Sequence, residues 1–278
     1  MNIFYFGGSS FASQHLVQDL IKKFNVTSFS RRKVANCESH YFNLDKKISK
    51  TLILKINRTK PDYIFFFSSL VPLNEKKSNW EECKKTNVLG LINLLKCIKH
   101  KPKKIILSSS CSIYGESDKK YNEDSFLNPN TNYSLSKFSQ ENILRIFCNN
   151  NGVQFLCFRL GYVYGDNMNN IRLVKKIWLK IKNKKKINLF NKNKNLNLIH
   201  TKDISNVVLS SFKIGQGIFN LTTPYATTLE SFYSHMVKNI KKKKLFDNNY
   251  SSATFFSLFK KVKILKFKEA IKEFKNGN

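Results

Sequence analysis

Ile3-Phe4-Tyr5-Phe6-Gly7-Gly8-Ser9-Ser10-Phe11-Ala12-Ser13 reads as an apolar strand, a glycine turn and the opening of a helix. A strand that ends in small residues and runs straight into a helix gathers unpaired backbone N–H groups at the positive end of a helix dipole. That arrangement suits a pyrophosphate, so Gly7, Ser9, Ser10, Phe11 and Ala12 are candidate dinucleotide contacts. The spacing is imperfect. Serines stand at 10 and 13 where Gly-x-x-Gly-x-x-Gly would place glycines, and a left-handed backbone at Ser10 would be strained.

The same alternation continues along the chain. A helical stretch, Phe11 to Phe24, is followed by a second strand, Val26 to Phe29. Tyr63 to Phe67 is a third strand, and one long helix is expected from about Trp80 to His100. Lys104 to Leu107 is a strand running into Ser108-Ser109-Ser110, Tyr133 to about Cys148 a helix, and Val153 to Phe158 a strand. Continuous apolar strands alternating with helices predict an α/β fold, a Rossmann-type doubly wound parallel sheet covered on both faces.

Beyond it the pattern is less regular. Asn183 to Asn197 reads as a hairpin or exposed loop, Lys238 to Lys244 as a solvated helix end, and Val262 to Phe274 as a closing helix. The expected division gives 1–160, with 196–222 returning to it, to the dinucleotide-binding domain. It leaves 161–195 and 223–278 as a small C-terminal substrate lobe.

Composition narrows the class. With 278 residues, 41% of them hydrophobic, the chain can bury a core. The formal charge of +31 raises the question of nucleic acid or a membrane surface. Lysine excess spans the whole chain together with abundant Asn, Ile and Phe, and the basic runs lack interleaved aromatics. A solvated, lysine-rich surface is therefore the reading, with no nucleic-acid partner expected. The six cysteines form no C-x-x-C pair and no His cluster joins them, so neither zinc nor disulfides are expected. No signal peptide and no membrane-spanning run is read, which makes the cytoplasm the expected compartment.

The second strand ends Ser28-Phe29-Ser30-Arg31-Arg32. In such folds this point meets the adenine ribose, where an acid bonds a 2′-hydroxyl and an arginine accommodates a 2′-phosphate. Ser30, Arg31 and Arg32 therefore favour NADP(H), with NAD(H) as the alternative.

Ser110, Tyr133 and Lys137 supply the chemistry. Tyr133 and Lys137 stand four apart on a helix and share a face. A phenol is a poor acid-base at neutral pH, and a neighbouring ammonium stabilises its phenolate. Lys137 can do this while holding the nicotinamide ribose, and Ser110 can bond the substrate oxygen. Tyr133 then moves the proton while the cofactor carries the hydride.

On these residues the chain resembles the extended short-chain dehydrogenase/reductases, the NAD-dependent epimerase/dehydratase family, over residues 1 to about 230. Phe42-Asn43-Leu44-Asp45 looks like the family's adenine loop, and Phe66-Phe67-Ser68-Ser69 stands where His-Leu-Ala-Ala is usual. Asn87-Val88-Leu89-Gly90 matches the central-helix motif, and Ser108 to Gly115 the catalytic serine motif. Tyr133 to Lys137, Arg159 to Gly165 and Leu198 to Ile204 resemble three further motifs. The resemblance implies dinucleotide contacts at Asn43, Leu44, Phe67, Ser68, Ser69, Asn87, Ser108, Tyr133, Lys137, Leu160 and Gly161. It implies substrate contacts at Ser110, Cys111, Ser112 and Tyr162, a nucleotide-sugar substrate, and a homodimer through the Tyr133 helix and its long neighbour.

The departures matter as much. Dehydratases of the family carry Asp-Glu after the catalytic serine, where this chain has Cys111-Ser112, which argues against dehydration. The fucose-synthase type has a cysteine two positions after the serine, where Ser112 stands. Tyr162 replaces a frequent Asn, and Leu196 stands for a diphosphate-binding Arg, for which Lys192 or Lys194 could substitute. The leading expectation is an NADPH-using reductase of a 4-keto nucleoside-diphosphate sugar. A 4-epimerase with tightly held NAD is the alternative. A basic nucleic-acid-binding or cofactor-sensing protein is the non-enzymatic competitor, and the complete triad counts against it.

Overall fold

The computed structural model describes residues 1–115, 121–185, 195–223, 225–237, 246–247, 262 and 264–277. In chain order the elements are β1 (Asn2–Phe6), α1 (Gln14–Ile21), β2 (Asn25–Ser30), β3 (Glu38–Tyr41), α2 (Lys50–Arg58) and β4 (Tyr63–Phe66). Then come α3 (Trp80–Cys83), α4 (Gly90–Cys97), β5 (Lys104–Ser110), α5 (Asn132–Asn151), β6 (Gln154–Leu160), β7 (Tyr162–Tyr164) and α6 (Leu173–Lys182). The remainder is β8 (Asn195–Leu196), β9 (Leu198–His200), α7 (Thr201–Ser210), β10 (Gly217–Leu221), β11 (Tyr225–Thr228), α8 (Leu229–Val237), β12 (Phe246–Asp247) and α9 (Phe267–Asn276).

Seven strands form one sheet in the order β10-β6-β5-β4-β1-β2-β3, every pairing parallel. The strand alternation sorts β1 between two layers. Ile3 and Tyr5 join Leu16, Val17 and Leu20 of α1 and Ile204, Val207 and Val208 of α7. Phe4 and Phe6 join Ile56 of α2, Leu91 and Leu94 of α4, and Leu144 and Cys148 of α5 on the opposite face. Both faces are thus covered, and the apolar runs that predicted a doubly wound sheet have their physical reason.

The chain reverses its direction of travel across the sheet between β1 and β4. In open parallel sheets a ligand crevice lies outside the carboxyl ends of the strands at that point. A third cluster gathers Tyr164, Met168, Val174, Ile177, Leu198, Phe232 and Phe274, with Phe11 packed against it. The residue that follows the glycine turn is therefore anchored among the residues of the later half of the chain.

Several expectations need correction. The first helix is shorter than Phe11 to Phe24: a tight turn occupies Phe11–Ser13 before α1 begins at Gln14. The closing helix starts at Phe267 rather than Val262. The long helix exists, but Lys84–Leu89 between α3 and α4 is wound as a π-helix. β3, α2 and β10 were not anticipated. Residues 186–194, with Lys192 and Lys194, and 238–245, with the basic run, lie outside the described residues.

Candidate active site

Gly7 opens the turn with φ +92. Its N–H donates to the Phe29 carbonyl at 2.9 Å, and its carbonyl accepts from the Ser10 N–H at 2.9 Å. A Cβ at Gly7 would stand 2.6 Å from the Phe67 carbonyl and the Ser68 nitrogen, so only glycine lets the loop after β4 close over the turn. Ser10 is unstrained: its φ of −73 is extended backbone, which corrects the concern raised by its side chain. Its hydroxyl lies 2.8 Å from Ser13 Oγ, and the Tyr5 hydroxyl donates to Ser13 Oγ at 2.9 Å. Ser13 is fully buried. The serines that replace glycines thus tie the turn to β1.

At the end of β2, Arg32 reaches back over the turn and donates to the Ser9 carbonyl at 2.8 Å. The Ser30 hydroxyl donates to the Arg32 carbonyl at 2.7 Å, and Arg31 is exposed. Leu44, Phe67 and Leu160 turn their side chains into the two cores, so what they can offer a dinucleotide is backbone. Gly161 is pressed against the Asn197 carbonyl. Half-buried Asn43 and Ser68 flank these residues on the loops after β3 and β4.

Asn87 sits in the π-helical turn with its side chain fully buried. It accepts from the Leu70 N–H at 2.7 Å, and it donates to the Leu70 carbonyl at 3.2 Å and Ser136 Oγ at 2.9 Å. Its side chain clamps the loop after β4 to α5, so its influence on a dinucleotide runs through that loop. The Ser136 hydroxyl donates to the Tyr133 carbonyl at 2.7 Å, which fixes the start of α5. Thr131 and Ser134 cap the same helix reciprocally, and the Tyr133 N–H donates to Ser78 Oγ at 3.1 Å.

The triad comes together inside this frame. Tyr133 is 5% exposed and its phenol hydrogen-bonds Ser110. Burial raises its pKa, the Glu75 carboxylate adds to the rise, and Ser110 and the Arg172 guanidinium pull the other way. Ser110 Oγ lies 2.9 Å from Ser112 Oγ and accepts from the Ser112 N–H at 3.2 Å. Lys137 is 2% exposed; its ammonium donates to Ser69 Oγ at 2.9 Å, the Ser108 carbonyl at 2.8 Å and Gln140 Oε1 at 2.6 Å. Burial brings its pKa down to about 8, with Cys157 and Glu141 opposing.

The substrate candidates divide. Ser112 joins the triad. Cys111 is buried, with its thiol donating to the Arg159 carbonyl at 3.1 Å, and burial raises its pKa. It packs; it does not face a substrate as a thiolate. The Tyr162 hydroxyl accepts from the Leu173 N–H at 3.1 Å, linking β7 to the start of α6. Arg172 acts electrostatically on both Tyr162 and Tyr133.

Two supporting residues, Glu141 and Gln140, escaped the sequence reading, and the Arg159 motif was read without its partner. Arg159 and Glu141 form a buried pair, with Nη2 donating to Oε2 at 3.0 Å and Nε to Oε1 at 3.2 Å. Arg159 also donates to the Tyr114 hydroxyl at 2.7 Å, which in turn donates to Asn220 of β10 at 2.8 Å. Gln140 is the other missed residue. Helical spacing was the available signal for both α5 residues: 133, 137, 140, 141 and 144 share one face. Arg159→Met should leave Glu141 buried and unpaired, lowering stability by about 3–5 kcal/mol in urea unfolding. Adding Glu141→Leu should recover much of that loss.

A model of the NAD dependent epimerase/dehydratase family matches residues 3–222. The chain belongs to that family. Curated relatives include a UDP-glucose 4-epimerase of Mycoplasma genitalium, 29% identical over 175 residues (57% of this chain, 50% of that protein). A putative UDP-glucose 4-epimerase of Methanocaldococcus jannaschii is 27% identical over 170 residues (58% of this chain, 55% of that protein). The matched stretch thus spans about half the length of these relatives. Among solved structures, MoeE5 with UDP-glucose and NAD superposes with a TM-score of 0.83 at 17% identity, covering 100% of this chain and 98% of the other. The UDP-glucose 4-epimerase of Thermotoga maritima gives 0.81 at 20% identity, with the same coverage. The structural likenesses establish the Rossmann-like fold.

No helix among the described residues is long and apolar enough to cross a membrane, and none of their His, Cys, Asp and Glu groups could hold a metal ion. The residues that line the carboxyl ends of β1, β2, β4, β5 and β6 fit a dinucleotide. They supply a glycine turn that tolerates no Cβ, a buried lysine one turn along α5 from a buried tyrosine, and an arginine laid over the loop.

Proposed function

We propose that the protein is a nucleotide-sugar 4-epimerase, acting on a UDP-sugar with a dinucleotide it retains between turnovers. The observation that carries this reading is the joint one. An intact Ser110–Tyr133–Lys137 site lies in a chain whose curated relatives include UDP-glucose 4-epimerases. It takes the place of the reductase as the leading reading.

A bound nicotinamide would supply hydride transfer at C4. Ser110 holds the C4 oxygen. Tyr133 takes the hydroxyl proton as the hydride leaves, producing a 4-ketone. Inversion requires the ketone to present its other face; Tyr133 then returns the proton as the hydride comes back. The proton and hydride are each borrowed and returned, so the cycle needs no outside oxidant or reductant.

The reductase reading drew on Arg31 and Arg32. Arg32 has an evident task in holding the phosphate turn through Ser9, which requires no 2′-phosphate. NAD is accordingly the cofactor in the main reading and NADP(H) in the second. Residues 1–160 with 196–222 form the dinucleotide half in this proposal, and 161–195 with 223–278 the substrate half. A homodimer would bury the exposed Leu135 and Ile146, three turns apart on α5. Six free cysteines suit a reducing cytoplasm.

The purified protein should release NAD on denaturation, identified by mass, at close to one per chain. An empty protein that binds NADPH more tightly than NADH would instead favour the reductase.

A further inference from the structure

Lys137 has three donors, and the structure fills all three with Ser69 Oγ, the Ser108 carbonyl and Gln140 Oε1. These acceptors are not equivalent. The Ser69 hydroxyl can rotate, and it donates to Gln140 Oε1 at 3.0 Å. The Ser108 carbonyl is fixed by β5. Gln140 is fully buried one turn along α5 from Lys137, and its amide nitrogen has no partner among the described residues. A buried amide with one end bonded twice and the other not at all is costly, so the bonded end has a job.

We propose that Gln140 is the positioning residue of the dinucleotide site, a neutral acceptor that holds the Lys137 ammonium in place without cancelling its charge. A ribose hydroxyl arriving at Lys137 displaces the mobile Ser69 contact, while Gln140 and Ser108 keep the ammonium where it is. Because Gln140 carries no charge, the full positive charge stays available to the ribose and to the Tyr133 phenol. A carboxylate in the same place would neutralise it.

The other ionisable groups around Lys137 are already committed. Glu141, on the same helix, is paired with Arg159 of β6. Burial holds the Cys157 thiol of β6 protonated. Tyr133, one turn back on α5, is likewise raised by burial. The loop after β4 and the end of β5 face Lys137 with a hydroxyl and a carbonyl. Gln140 is therefore the position at which the charge state of Lys137 can be tuned.

The inference rests on Lys137 meeting the ribose of the dinucleotide, and on nothing about the sugar. Its test is the pH dependence of NADH affinity, read by fluorescence on the full chain emptied of cofactor. Affinity should weaken as pH rises through about 8, where burial places the loss of the Lys137 proton. In Gln140→Met, similar in shape but a poor acceptor, the break should move down by about one pH unit. In isosteric Gln140→Glu it should move up by about one, as an added opposite charge favours the ammonium. A packing role would change affinity or melting temperature in both variants and leave the break where it was. Breaks that coincide in all three proteins, or a profile with no break, overturn the proposal. Failure of the epimerase reading would show separately, as absent sugar turnover in an unmodified protein that still binds NADH.

Discussion

Replacing Tyr133 by phenylalanine should lower turnover about 100- to 10,000-fold while leaving dinucleotide binding and stability close to those of the unmodified protein, as expected for loss of a general acid-base. The ring stays in place, because α5 is held by the Thr131 and Ser134 caps, by Ser78 and by the Asn87–Ser136 clamp. Only the hydroxyl and its bond to Ser110 are lost. The protein's own groups oppose ionisation, since burial raises the phenol's pKa and the Glu75 carboxylate adds to it. In the proposed cycle the positive charge of Lys137 would stabilise the phenolate, and a bound oxidised nicotinamide would add to it. Steady-state rates, with NADH affinity and thermal melting as controls, check this result. Turnover within a few-fold of the unmodified protein would remove Tyr133 from the chemistry.

Gly7→Ala should abolish retention of the dinucleotide. Two independent penalties coincide there. The backbone lies at φ +92, where an L side chain is strained, and the new methyl would overlap the Phe67 carbonyl group and the Ser68 nitrogen at 2.6 Å. Strain and overlap together should cost about 2–4 kcal/mol of stability. The turn and the loop after β4 must separate to relieve the overlap, and both are needed to seat the dinucleotide. Affinity should fall at least about tenfold, the equivalent of about 1.4 kcal/mol. Urea unfolding and the dinucleotide content of the purified variant measure the two effects. Ser10→Gly makes the contrast: Ser10 is extended, so the substitution should cost only its hydroxyl contact with Ser13.

These two positions also show what could be read without coordinates. Ile3 to Phe6 is buried on both faces, so β1 is a continuous apolar run that one pass along the chain detects. Gly7 announces itself because no other residue tolerates that backbone. β3 was invisible for the opposite reason. Glu38-Ser39-His40-Tyr41 is an edge strand, half-exposed, with no apolar run to mark it. α2 buries only Ile56 outright, too little to establish a face.

The central helix was expected correctly as a single long stretch, but periodicity could not reveal its π-helical turn. A widened turn of this kind shifts which side chains face inward without altering composition. Asn87 stands in that turn, buried between Leu70 and Ser136. Ser110, Tyr133 and Lys137 were legible because the chemistry demands those groups at those spacings. Gln140 was not, since a polar residue on a helix reads as solvent-facing until its neighbours are known. The reductase expectation joined the triad and the missing dehydratase pair to Arg31 and Arg32, whose local context in the sequence cannot tell a phosphate ligand from a residue that braces its own loop.

The central claim is inversion at C4 with no net redox change, and one reaction tests it most directly. UDP-galactose is incubated with the purified protein, with no dinucleotide added, and the sugar nucleotides are separated and identified by NMR. The account predicts UDP-glucose in many-fold molar excess over protein, no accumulated 4-ketone, and loss of this conversion in Tyr133→Phe. No conversion of UDP-galactose or UDP-glucuronic acid, together with NADPH-dependent reduction of a 4-keto UDP-sugar, would contradict it and return the reductase to the lead.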